Sequence, residues 1–149
     1  MNRKASVIWQ GTFRQGSGTL STESGSLLKT EYSYRTCFEE EVGINPYELI
    51  AGALAACYAM ALSRELELVG FSPSRIDTTV TVTLERFSDE GMMTQIQMEV
   101  SAQVPDATQS KFISAALEAK AKSPIARLLN ANISMTASLN AANNIFQFE

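Results

Sequence analysis

The stretch NPYELIAGALAACYAMALSRELELVG, residues 45–70, constrains this chain more than any other. Asn45 is suited to cap a helix, Pro46 to occupy its first turn, and Glu48 to answer the free amides three residues on. Gly70 suits the left-handed position that closes a helix, and Phe71 and Pro73 follow where the helix cannot continue. The predicted helix is about 36 Å long at ~1.5 Å per residue, enough to cross a small domain. Its uncharged run, 49–62, ends in Arg64, Glu65 and Glu67, too short a run for a bilayer. A buried core helix is expected instead. Six alanines and a glycine between Ala51 and Ala61 leave little bulk, so another backbone, including one from a second subunit, can come close.

The remaining segments supply sheets and helices to surround it. Residues 5–13 and 19–28 read as strands around the turn 14–18, and 31–39 alternates well enough for a third strand. Ile76, Thr78, Val80, Val82 and Leu84 share one strand face. Beyond the turn 88–91 so do Ile96, Met98, Val100, Ala102 and Val104, which makes a long hairpin with one buried side. Residues 108–122 have helical spacing, with Phe112, Ile113, Ala116 and Leu117 inward. Ser123 and Pro124 then read as cap and first turn of a short helix, 125–129, with the Ser123 hydroxyl accepting from the amide of Ile125 or Ala126. Ile133, Met135, Ala137 and Leu139 form a last strand, and the tail from Asn140 carries no clear signal. Strands in runs, separated by helices, give an α+β class with mainly antiparallel sheets.

At 149 residues, 45% of them hydrophobic, the chain is expected to form a single domain with a real core. A net charge of −4, with its Lys and Arg scattered, argues against nucleic acid or an anionic membrane as partner. No apolar run of signal-peptide length precedes Gly11, so a cytoplasmic location is expected. With two cysteines and no histidine, zinc sites of Cys and His, Cys-His pairs and Ser-His-Asp triads are excluded. Thiol, carboxylate and arginine chemistry remain, and no cofactor or metal is called for.

Cys57 is the first candidate for that chemistry. A lone thiol on an alanine-rich helix reads as a small buried hydrophobe unless a cation nearby favours the thiolate, since the middle of a helix offers it no dipole. Arg35 and Arg14 are the cations that the topology brings nearest. Two alternatives therefore stand at this point, an inert core thiol and an activated one.

The segments GSGTLSTESG, NPYELIAGALAACYAMAL, GFSPSRIDTTVTVTLER and AKSPIARLL resemble, in order and spacing, the OsmC-type proteins of the OsmC/Ohr family of thiol peroxidases. The resemblance runs from about Val7 to Leu139. It implies a bacterial, OsmC-like α+β fold, with antiparallel sheets around a long central helix and two chains intertwined as a homodimer. It also implies reduction of organic hydroperoxides by a reactive cysteine, a resolving cysteine, an arginine and a glutamate. Cys57 falls on the reactive cysteine. The family arginine, in a context like TRFE, is replaced by Cys37; the glutamate after the helix-start proline by Tyr47; and the resolving cysteine by Ser123. None of the three substitutions preserves the chemistry, because cysteine carries no fixed cation, tyrosine is not a carboxylate at neutral pH, and serine forms no disulfide.

Glu48 is adjacent to the lost glutamate but about 100° round the helix. Arg35 lies two residues from Cys37, on the same face of the expected strand, and so offers a displaced charge. The sites carried forward are Cys57 and Cys37 as catalytic residues, with Cys37 as a new resolving thiol, and Arg35, Tyr47 and Glu48 as binding residues. The competing reading is an inactive dimer that binds a small apolar or thiol-reactive ligand. In an unbroken helix, positions 47 and 57 are about 15 Å apart along the axis. Either the helix breaks, at Gly52, or two chains build each site. The expected partners are a second copy of the chain, a small hydroperoxide or apolar ligand, and a thiol reductant.

Overall fold

The computed structural model describes residues 1–87, 90–129, 131–140 and 145–149, with side chains of 86–94 outside the description. The chain divides into two compact units, Met1–Leu49 and Ile50–Glu149. The first is an antiparallel meander of β1 (Ala5–Gln10), β2 (Ser17–Thr22) and β3 (Thr30–Ser33), followed by the short helix α1 (Tyr34–Phe38). Register runs Ala5 opposite Thr22 and Ser17 opposite Ser33. The β1–β2 turn closes through the Gly16 amide, which donates to the Thr12 carbonyl at 2.7 Å.

The third strand stops earlier than its alternation suggests. Tyr32, Tyr34, Thr36 and Phe38 alternate as a strand would, yet Tyr34–Phe38 is helical. Ser33 decides this locally. Its hydroxyl accepts from the Thr36 amide at 3.2 Å, while the Thr36 hydroxyl accepts from the Ser33 amide at 3.0 Å, a reciprocal cap that starts a helix where the ladder would have continued.

Helix α2 spans Pro46–Leu68 without a break at Gly52. Asn45 caps it, Oδ1 accepting from the Tyr47 amide at 2.9 Å. At the other end Gly70 has φ +90°, its amide donates to the Glu67 carbonyl and that of Phe71 to the Leu66 carbonyl, the paired closure expected of a left-handed glycine. With a mean hydropathy of 1.4 over its most apolar stretch, α2 is long and apolar enough to cross a membrane, contrary to the count that stops at Leu62. The stripe Leu54, Tyr58, Leu62 and Leu66 is nevertheless fully buried in the core of the second unit.

That core is built on a four-stranded sheet, β4 (Arg75–Phe87), β5 (Glu90–Gln103), β6 (Ile133–Leu139) and β7 (Ile145–Phe148), in this order. The turn residues Ser88 and Asp89 lie outside the described residues. β4 and β5 pair antiparallel, whereas β5 and β6 are parallel, as two strands joined through a helical crossover must be able to be. The crossover consists of α3 (Gln109–Lys122) and α4 (Pro124–Leu128). Ile96, Met98, Val100 and Ala102 of β5 and Ile133, Met135, Ala137 and Leu139 of β6 alternate into the core. α3 turns Phe112, Ala115, Ala116 and Ala119 inward, a rotation from the expected face that leaves Leu117 exposed. The alanines leave room for Tyr58, whose hydroxyl donates to the Ala116 carbonyl at 3.4 Å. β7, which the tail did not announce, is set by its antiparallel pairing to β6, Met135 opposite Phe148.

Candidate active site

Cys57 lies in the second unit, half-buried on α2 and in no disulfide. It stands about 100° round the helix from the buried Tyr58, at the border between the buried stripe and an exposed face made of Gly52, Ala53, Ala56 and Met60. A sulfur at such a border can be reached from outside while its stem stays packed.

Cys37 lies in the first unit, also half-buried and in no disulfide, on α1. Burial raises its thiol pKa above the ordinary value, and a hydrogen bond with the Thr36 side chain partly opposes the rise. The thiol is therefore held in its neutral form at pH 7. Because α1 is a helix, Arg35 does not share a face with Cys37: two helical residues are about 200° apart. Arg35 Nε is instead 3.4 Å from both Glu39 and Glu41, with its side chain 63% exposed.

Around Cys37 the first unit gathers aromatic rings. Phe13 meets Tyr34 edge-on at 5.0 Å, Tyr34 lies 5.1 Å from Phe38, and Trp9 lies 5.6 Å from Tyr32. Tyr47, at the start of α2, joins the edge of this cluster through Phe38 at 6.3 Å. Arg14 sits over the Tyr34 ring at 5.2 Å, so its guanidinium is spent in part on an aromatic face. Glu48 is exposed in the first turn of α2. Thus Cys37 and Tyr47 belong to one aromatic neighbourhood, while Arg35 turns to the acidic residues after α1. The signal for this cluster was present in the sequence, since half of the aromatic residues fall before residue 50, but their convergence was not.

Ser123 caps nothing with its side chain. It is fully buried between α3 and α4, and its Oγ has no hydrogen-bond partner among the described residues. With φ −59° and ψ 121°, its backbone still ends α3 and admits Pro124 to the next helix, so the helix junction is kept by the main chain and the proline. Next to it Lys122 reaches the buried Glu65 of α2 at 3.2 Å, and Arg64 reaches the same carboxylate at 3.1 Å. In the sequence Glu65 stands out only as one of the charges that end the apolar run. The hydrogen bonds from Arg64 and Lys122 give both of its buried carboxylate oxygens a partner.

Comparison with known proteins agrees with this architecture. The model of the OsmC-like protein family matches residues 38–138. The peroxiredoxin OsmC of Escherichia coli K12 is 39% identical over 141 residues, covering 95% of this chain and 99% of that protein, and its Shigella flexneri counterpart matches equally. Among solved structures, an OsmC-like protein of unknown function from Vibrio cholerae superposes with a TM-score of 0.73 at 14% identity, over 93% of this chain and 99% of that one. An organic hydroperoxide resistance protein from Legionella pneumophila does so at 0.65 and 19% identity, over 93% and 97%. A family match over most of the chain, a full-length relative at 39% identity and the shared α+β architecture together make this chain a member of the OsmC-like family.

Proposed function

We propose that the protein reduces organic hydroperoxides through Cys57, in a site altered from the one its family resemblance implies. The observation that carries this reading is the retention of Cys57, half-buried but reachable, within a chain 39% identical to a protein named peroxiredoxin OsmC. In the first step the Cys57 thiolate attacks the terminal oxygen of the hydroperoxide. The O–O bond breaks, the electron pair leaves with the alkoxide, which takes a proton to become the alcohol, and Cys57 becomes a sulfenic acid. In the second, the Cys37 sulfur attacks that sulfenic sulfur, a disulfide forms and water leaves. An external dithiol then reduces the disulfide. Tyr47, Glu48 and Arg35 are the binding residues of this scheme. Arg35 must give up exposed ion pairs of 3.4 Å to take part, a small cost for pairs of that kind.

Both units act in this reading as one domain, since the family match and α2 each run across their division. The active form is a cytoplasmic homodimer: α2 is unbroken at Gly52 and presents an exposed apolar face on which Met60 is 75% exposed, as a helix awaiting another chain would. The second reading, a ligand-binding dimer without turnover, is favoured by the neutral Cys37 thiol and its aromatic surroundings.

Titration of the reduced protein with an organic hydroperoxide, followed by intact mass, separates the two. Oxidation near one equivalent that disappears in Cys57→Ser supports the peroxidase, and a loss of two protons mapped to a Cys37–Cys57 cross-link supports Cys37 as resolving thiol. Indifference to peroxide in the wild type rejects the enzyme. A stable sulfenic or sulfinic acid on Cys57 with Cys37 untouched rejects the resolving role.

A further inference from the structure

We propose that the groove between α3, α4 and the start of β6 binds a small amphipathic monocarboxylate, its head group held by Lys120 and Arg127 and its apolar tail by Leu117, Ala126 and Ile133. The groove has a volume of about 470 Å³, within the roughly 300–1,000 Å³ of small-molecule sites. Its wall, among the described residues, includes no part of α2 or of the first unit. Leu117, Lys120 and Ala121 lie three and four residues apart and so share one face of α3, away from the buried Phe112, Ala115 and Ala119. The rotation that brings the alanines of α3 inward therefore leaves Leu117, 43% exposed, at the groove. Half-buried Ala126 of α4 and buried Ile133 of β6 add apolar surface to the same wall.

The charges of this wall are not matched within the chain. Lys120 and Arg127 form no ion pair among the described residues. Lys122, two residues on and about 200° round the helix, finds Glu118 at 2.9 Å and Glu65 at 3.2 Å. Lys120 is half-buried, and burial alone pushes its pKa below the ordinary lysine value, as in an ammonium that has lost water without gaining an anion. Glu149 brings a carboxylate to the wall but pairs with neither cation. Two cationic side chains against one carboxylate give the groove a positive surplus in a chain of net charge −4. Such a surplus suits a monoanion better than a cation or a dianion. A carboxylate also matches the planar fork of Arg127, from which it can accept two parallel hydrogen bonds.

Cys57 is not part of this wall, so the site goes beyond the peroxidase reading and stands or falls without it. Octanoate is the probe, with octanol as its neutral counterpart, octylammonium as its cationic one and acetate as the head group alone. Calorimetric titration should show saturable binding of one octanoate per chain, about tenfold weaker binding of octanol, and none of octylammonium or acetate. Lys120→Gln and Arg127→Gln should each weaken octanoate about tenfold, and Leu117→Gln about fivefold. Glu149→Gln should tighten it about threefold by removing the opposing charge. Arg127 and Leu117 are exposed, so these variants keep the fold, and an unchanged melting temperature checks it. Octanoate should also protect the Lys120 amine from acetylation by an activated ester, read by peptide mass, while exposed Lys111 reacts as before. Cys57→Ser should bind as wild type does, so an inert peroxidase and an empty groove are told apart. Absence of octanoate binding, equal affinity for octanol or acetate, or binding that survives both Lys120→Gln and Arg127→Gln in the folded protein would each overturn the proposal.

Discussion

At the scale of single residues, two of the three positions that depart from the family resemblance, Ser123 and Cys37, are governed by burial. A hydroxyl taken out of water without a partner costs roughly 1–3 kcal/mol, and Ser123 Oγ is in that condition among the described residues. Ser123→Ala is therefore expected to raise stability by about 1 kcal/mol, the reverse of what a capping serine would give. The urea midpoint measures it; a fall would show that the hydroxyl is satisfied. Ser123→Cys should fold equally well, because a thiol tolerates apolar surroundings better than a hydroxyl does. Cys37 presents a titration. Its folded pKa is raised by burial, so the neutral thiol contributes stability that is present below the unfolded value of about 8.5 and is lost as pH rises through the folded value. Comparing Cys57→Ser with the Cys37→Ala, Cys57→Ser double variant in alkaline buffers, the stability advantage of the thiol should shrink with rising pH. An advantage that grew with pH would mean that the fold favours the thiolate.

At the scale of elements, helix ends and helix faces were unequally legible. The asparagine cap and glycine stop of α2 are both found where the sequence placed them, since each depends on a few adjacent residues. An added Cβ at Gly70 would meet no atom within 4 Å, so Gly70→Ala is expected to cost only the backbone term, about 1 kcal/mol, by thermal or urea denaturation. Leu62→Ala on the buried stripe should cost about 2–5 kcal/mol by the same measurement. By contrast, α3 keeps Phe112 and Ala116 inward as expected but turns Ala115 and Ala119 in beside them, a choice that periodicity leaves open because Ile113 and Leu117 fit the helical period as well as those two alanines do. The alanines won because they allow the helix to lie close enough for the Tyr58 hydroxyl to reach the Ala116 carbonyl. α1 was missed because aromatic alternation and helical capping compete over five residues, and the Ser33–Thr36 reciprocal bonds are invisible to a count of periodicity.

At the scale of the whole molecule, the proposed homodimer is the prediction with the largest consequence. Light scattering at micromolar concentration should return twice the 16.2 kDa chain mass. Met60→Glu, which places a charge on the exposed apolar face of α2, should shift the population toward monomer without altering the fold. A wild-type monomer, or a dimer indifferent to that charge, would place the association elsewhere or nowhere. The same face explains why α2 has the length and hydropathy of a membrane segment: only 28% of its most apolar stretch is buried within the chain.

By itself the sequence determined the α+β class, the long capped helix, the β4–β5 hairpin and the candidate thiols, because caps, turns and two-residue alternation are local and each leaves its mark within a few positions. Only the tertiary structure decided what those residues face. Cys37 proved to line an aromatic pocket, Ser123 to bury a hydroxyl without a partner among the described residues, Glu65 to be a buried carboxylate held by Arg64 and Lys122, and residues 145–148 to form a strand. Each of these depends on partners distant in the sequence, and burial, hydrogen-bond satisfaction and strand pairing are properties of such neighbours rather than of the residue that experiences them.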